Sequence, residues 1–256
     1  FDAIRNKTKP SDLVFYQFST GKSFMYENVM DYAFSENGDL GLFSQLAPDS
    51  VKNTVLYAFN TSDQMISIIF EGKGSASSLC IDRKGEKASF LFSDDSCLVT
   101  GYQLYSFYPG NDRAECLIDS ADSKLTQGFG VSKNGKLWYS KSGDRLFFGI
   151  NLLQTEEEED SLLPEEKYNL DIWNWNDNYL QPQQKKQLTK EKNFAYAAMY
   201  DQKNDQVVVL LKDEIKRLIT QPEGEGESML GISNDKYGKF LSWEGVQYQD
   251  VYLIDP

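Results

Sequence analysis

Tyr139–Ile150 reads YSKSGDRLFFGI: an aromatic residue, Ser140, two polar residues, Gly143, a polar pair, then an apolar run. A glycine between a short polar stretch and strand-forming residues is the sequence of a tight hairpin, because only glycine takes positive φ without strain. The same order recurs as FSENGDLGLF from Phe34, IDRKGEKASFLF from Ile81 and YDQKNDQVVVLL from Tyr200. Four copies make it a repeated unit. The predicted turn residues are Gly38, Gly85, Gly143 and Asn204, spaced 47, 58 and 61 residues apart.

Further turn sequences lie between the copies: STGK (Ser19–Lys22), NTSDQ (Asn60–Gln64) and SKNGK (Ser132–Lys136). Together they predict an all-β chain of several strands per unit. DLVFYQF (Asp12–Phe18) and DVYLID (Asp250–Asp255) read as strands near the two ends. A period of roughly 40–50 residues with several strands per unit is the signature of β-propeller blades, each about four antiparallel strands whose faces are buried by neighbours. At that period the 256 residues would form about five blades or part of a larger propeller, one domain over 1–256. A pair of β-sandwiches is the competing fold, but it does not require a repeated signature. The longer intervals call for insertions, and the acidic stretch QTEEEEDSLLPEEKYN places one at about 154–170, as a solvated loop. Helix is expected only there and near Gln183–Glu191.

The net charge of −13 would repel a phosphate backbone, so nucleic acid is not an expected partner. Apolar runs such as Val207–Leu211 fall far short of the roughly 20 residues of a spanning helix. Starting at Phe1 rather than Met, the sequence reads as a processed chain or a piece of a longer one. Cys80, Cys97 and Cys116 form no C-x-x-C pair, and buried free thiols or one disulfide plus a thiol remain open.

There is no histidine, so this chain cannot complete a Ser-His-Asp triad. A G-x-S-x-G elbow, a P-loop, a G-x-G-x-x-G loop and a calcium loop are also missing from the sequence. GKGSAS (Gly72–Ser77) and EGEGES (Glu223–Ser228) read as small-residue loops matching none of these. No catalytic residue, metal ligand or cofactor is therefore expected. Carboxylates such as Asp94, Asp95, Glu156–Glu159 and Asp160 leave an acid-pair glycosidase as a third-ranked reading. LDIWNWNDNYLQPQQ (Leu170–Gln184) gathers Trp173, Trp175, Asp177 and Tyr179, residue types that suit a substrate or partner contact. On a strand, Trp173 and Trp175 would instead share one face and pack between sheets.

FSENGDLGLF and YSKSGDRLFFGI resemble the F-S-x-D-G-x-x-L-x-F repeats of TolB-like and prolyl oligopeptidase-type propellers. DLVFYQFSTGKSF with NVMDYAFSENGDL, and DIWNWNDNYLQPQQKKQL, resemble more narrowly the N-terminal propeller of bacterial prolyl oligopeptidase-family serine peptidases of the dipeptidyl and acylaminoacyl peptidase type. The resemblance runs from about Asp12 to the end. It implies a non-catalytic propeller that restricts peptide substrates for a C-terminal α/β-hydrolase domain, in a periplasmic or otherwise exported protein, with the cytoplasm as the alternative. The other implied role is a free-standing TolB-like protein-binding scaffold. The third and fourth copies depart from the repeat: Ser142 stands in place of Asp, and Lys203-Asn204 in place of Asp-Gly.

Overall fold

The computed structural model describes residues 10–18, 20–46, 53–94, 101–119, 122–153, 173–174, 176–211 and 215–255, without the side chains of 241–243. The chain is mostly β. Its first sheet runs in sequence order through β1 (Ser11–Gln17), β2 (Lys22–Phe34), β3 (Leu40–Leu46), β4 (Asn53–Asn60), β5 (Ile66–Ile81), β6 (Ala88–Asp94), β7 (Gln103–Phe107) and β8 (Glu115–Ile118). The second contains β9 (Phe129–Ser132), β10 (Trp138–Tyr139), β11 (Arg145–Leu152), β12 (Tyr196–Asp201) and β13 (Gln206–Val209). β14 (Arg217–Ile219), β15 (Met229–Ser233) and β16 (Asp250–Ile254) form the third. Among the described residues, all pairings between these strands are antiparallel, as hairpin connections require.

Two long strands break the first sheet into successive units. β5 pairs with β4 through Ile66–Lys73 and with β6 from Gly74 onward. Gly74 has φ 148°, and a Cβ there would overlap the Ser93 carbonyl oxygen. The sequence GKGSAS is thus the point where β5 passes from one unit to the next, not a loop. β2 does the same at Val29, pairing first with β1 and then with β3 across a register shift.

The core lies between these units. Leu40, Leu42, Leu56 and Ile69 pack on Phe90, Phe92 and Phe107. Leu91, Leu104 and Ile118 pack on Leu146, Phe148 and Ile150. Phe147, Met199 and Leu210 pack on Met229 of the third sheet. A central strand such as β6 is consequently buried on both faces, and its middle, Phe90–Phe92, is apolar at consecutive positions rather than alternating.

Helix α1 (Gln181–Lys192) covers the expected polar stretch. Pro182 opens it, and Gln183 Oε1 accepts from the Leu180 amide at 2.9 Å, satisfying one donor at its start. A short 3₁₀ turn (Asp235–Tyr237) leading into α2 (Gly238–Glu244) had no counterpart in the sequence reading.

One prediction about the repeats is corrected. The Asn204 turn joins β12 to β13, and β12 pairs with β11, so the third and fourth copies are two hairpins of one sheet. Positive φ falls on Asp205 (51°) rather than Asn204. The turn that continues the series is Gln221–Gly224, whose last two residues open the stretch EGEGES (Glu223–Ser228) read as a small-residue loop. The acidic stretch at 154–170, Asp95, Cys97, Asp171 and Trp175 lie outside the described residues.

Candidate functional site

The repeated turns share one hydrogen-bond plan. The amides of Gly38, Gly85, Gly143 and Gly224 donate to the carbonyls three residues back, at 3.0, 3.2, 3.0 and 3.0 Å. Their φ angles are 79°, 74°, 79° and 70°, values that favour glycine. In the first three turns the opening Ser or Asp closes the loop a second time. Ser35 Oγ accepts from the Leu40 amide (3.0 Å), Asp82 Oδ1 from Lys87 (2.9 Å) and Ser140 Oγ from Arg145 (3.2 Å). These side chains are only 4%, 2% and 1% exposed, so each oxygen satisfies a donor that water does not reach. The Ser/Asp of the sequence signature is therefore a turn device and not a nucleophile.

Each turn also touches the next. Asn37 Nδ2 donates to the Lys84 carbonyl and Arg83 pairs with Glu36 at 2.6 Å. Lys87 Nζ donates to the Gly143 carbonyl at 3.0 Å and to Gln202 Oε1 at 2.6 Å. The Lys141 amide donates to the Glu223 carbonyl (2.9 Å), and Arg145 Nη1 to the Gly226 carbonyl (2.7 Å). Glu225 Oε1 accepts from the Ser142 amide at 2.6 Å, which holds its carboxyl below the usual range. The four turns are thus linked in series, by side chains at the first two junctions and by backbone and side chains at the third. The Asn204 turn has a different plan, with Asp201 accepting from the Lys203 amide (2.9 Å) and from Asn204 Nδ2 (2.7 Å).

Between the second and third units, Tyr139 Oη and Ser89 Oγ lie 2.6 Å apart in the buried layer. Burial, with Cys80 beside it, pushes the Tyr139 hydroxyl well up from its ordinary value. Burial likewise pushes the Cys80 thiol up, leaving it a protonated, inert group. Among the described residues Cys80 and Cys116 are free.

The described residues of the Trp-rich segment, 173–174 and 176–180, are not in a strand. The Asn176 amide donates to Asn174 Oδ1 (3.0 Å), a local turn of the kind that asparagines favour. Trp173 is 66% exposed, so it does not pack between sheets. Asp177 Oδ2 accepts from Gln184 Nε2 (3.1 Å), which also reaches the Tyr179 carbonyl (2.8 Å). Asn178 Nδ2 donates to the Asp235 carbonyl at 2.9 Å, and Lys239 Nζ to Asn176 Oδ1 at 2.8 Å. The segment is therefore seated on α1 and α2, with Trp173 outward.

Two cavities are described. One of about 180 Å³ lies under the β1–β2 hairpin, lined by Phe15, Tyr16, Phe24, Phe34 and Phe59. The other, about 280 Å³, lies between β10–β12 and β14, where Trp138 stacks on Phe147 at 4.3 Å. Neither is lined by a carboxylate, so the acid pair of a glycosidase is not found in them. Among the described residues no cluster of His, Cys, Asp or Glu could hold a metal ion, and no helix is long and apolar enough to cross a membrane.

No family model matches the chain, and no curated protein sequence matches it. Several solved structures are similar to it. TolB from Acinetobacter baumannii matches 97% of this chain and 47% of its own at 10% identity and a TM-score of 0.44. The β-propeller domain of the Trilobed protease from Pyrococcus furiosus matches 95% and 60% at 11% identity and 0.47. The acylaminoacyl peptidase of Pyrococcus horikoshii matches 90% and 31% at 13% identity and 0.45. The chain spans less than two thirds of each, and likeness at this level carries nothing about activity.

Proposed function

We propose that the chain is a single β-propeller-type scaffold over 1–256, with an acidic insertion at about 154–170 and no chemistry of its own. In this reading it is the non-catalytic portion of a prolyl oligopeptidase-like serine peptidase in an exported compartment. It restricts and orients peptides for an α/β-hydrolase domain that supplies the nucleophile and the base. The observation that carries the scaffold is the rim of four like turns, each bonded to the next, with a buried apolar layer behind each junction. Repetition of one packing solution is how propeller-like stacks gain stability. The lack of histidine agrees with chemistry supplied elsewhere. Trp173, Trp175, Asp177 and Tyr179 are the proposed peptide contacts.

A second reading, a free-standing TolB-like protein-binding scaffold, is favoured by the outward position of Trp173. Tryptophan fluorescence separates the readings. Short peptides with a free amine should change the emission saturably, less so in Trp173→Ala, while peptidyl-proline and aminoacyl reporters stay uncleaved. Turnover by the purified chain would sink the scaffold role, and no response to peptides would leave only the protein-binding reading.

A further inference from the structure

The third unit departs from the second at one place. In the second, Ser77 pairs with Leu91 and Cys80 with Ser89, so Ser78 and Leu79 together stand opposite Phe90. In the third, Ser132 pairs with Gly149 and Trp138 with Phe147, so Lys133–Leu137 stand opposite Phe148 alone. Phe90 and Phe148 are each eight residues on from the first residue of their turns, Asp82 and Ser140. The same bulge therefore holds two residues in one unit and five in the next. SKNGK is this enlarged bulge and not the turn of a separate hairpin. Bulges re-aim side chains, and they gather beside sites.

The residue nine on from each turn's start makes the room. Leu91 is fully buried and fills the junction with the third unit. Its counterpart is Gly149, on the same face as Phe147, which packs on Met229 of the third sheet. The bulge folds into the space that a leucine would take: a Cβ on Gly135 or on Gly149 would overlap the other's Cα. This contact sets Asn134 and Lys136, both exposed, at the rim of the cavity of about 280 Å³ between β10–β12 and β14. Lys136 Nζ lies 5.7 Å from the centre of the Trp138 ring. Other lysines here are paired, Lys141 with Glu223 at 2.7 Å and Lys203 with Asp144 at 2.8 Å. Among the described residues no carboxylate pairs with Lys136, none lines the cavity, and the Thr220 hydroxyl in its wall carries no hydrogen bond. In a chain of net charge −13, this cavity holds one cation and no acid.

We propose that this cavity binds a small carboxylate with an apolar, single-ring body. Trp138, Phe147 and Leu218 form the wall for the ring. Lys136 Nζ takes the carboxylate, with the Asn134 amide and the Thr220 hydroxyl as hydrogen-bond donors. One cation matches one negative charge, which suits a carboxylate better than a doubly charged phosphate. A free amino acid is disfavoured, because no acid in the lining offsets its ammonium group. Ligand cavities run from roughly 300 to 1,000 Å³, so one at the lower end admits a ring with a short acid rather than a peptide chain. The site uses none of the residues proposed for peptide contact and stands independently of that role.

Titration with phenylacetate, followed by amide and indole N–H chemical shifts, tests it, with phenylacetamide as the neutral control. Phenylacetate should shift the Trp138 indole and the amides of Asn134–Trp138 and Gly149 saturably. Phenylacetamide should bind about tenfold more weakly or worse, since it lacks the charge that Lys136 meets. In Lys136→Gln the affinity for phenylacetate should fall by about the same factor, while that for phenylacetamide stays within about twofold. Lys136→Arg should keep most of the binding. Lys136 is exposed, so both variants should melt with wild type. If Lys136→Gln melts early, Thr220→Val serves as the second variant and should also favour phenylacetamide relative to phenylacetate. A wild type that does not respond to phenylacetate, shifts confined to other parts of the chain, equal binding of phenylacetamide, or full affinity in Lys136→Gln overturns the proposal.

Discussion

β6 and β15 occupy the same place in their units, one turn after a glycine of like geometry, yet they end in different surroundings. β6 is buried on both faces, whereas β15 alternates, with Met229 buried and Leu230 open. Leu91 and Leu230 stand at the same step from their turns, the first fully buried against the next unit and the second 40% exposed. What differs is the presence of a following sheet. Burial here is a property of the stack rather than of the strand, so stability should fall steeply for substitutions at internal junctions and hardly at all at the terminal one.

The comparison can be broken most severely at the internal junction. Leu91→Ala should cost about 2–5 kcal/mol in chemical denaturation, through lost burial and the cavity left between units. Asp82→Ala should cost about 1–3 kcal/mol, because the Glu86 and Lys87 amides lose a buried acceptor. Asp82→Ser should restore part of it, as Ser35 and Ser140 serve the same purpose. Gly143→Ala should cost about 1–2 kcal/mol, since φ 79° disfavours any Cβ. Leu230→Ala, the terminal counterpart of the first variant, should cost no more than about 1 kcal/mol on the monomer.

The smallest effect is electrostatic. The Ser142 amide lowers the Glu225 carboxyl from its ordinary 4.5, so its contribution is present above that value and is lost as pH falls through the depressed folded value. Because Glu225 is exposed, the contribution is below about 1 kcal/mol. Thermal melts of wild type and Glu225→Gln should differ slightly at neutral pH and converge in acid.

Much of the fold was legible because its determinants are local. Ser/Asp-x-x-Gly encodes both the positive φ and the side-chain acceptor, so Gly38, Gly85 and Gly143 could be read directly. Asn204 misled because Tyr200–Leu211 encodes a hairpin just as well, and a hairpin's sequence does not say which neighbour it stacks on. The true fourth turn escaped notice because four residues, Glu225–Ser228, separate Gly224 from Met229, hiding the apolar run that marks the other copies. Its legible signal was glycine at the fourth position of Gln221-Pro222-Glu223-Gly224, after a proline suited to the second. The Trp-rich segment was expected to bear contacts, and its seating on α1 and α2 depends on tertiary hydrogen bonds from Asn178 and Lys239 that no periodicity reveals.

Amide hydrogen exchange on the dilute, monomeric chain tests the stacked-unit account most directly. Protection should be deepest in β3, β6 and β11, with their turn amides at Leu40, Lys87 and Arg145 exchanging only on global opening, and should drop sharply in β1 and β16. Equal protection in β16 and β6, or fast exchange at the Lys87 amide, would contradict it.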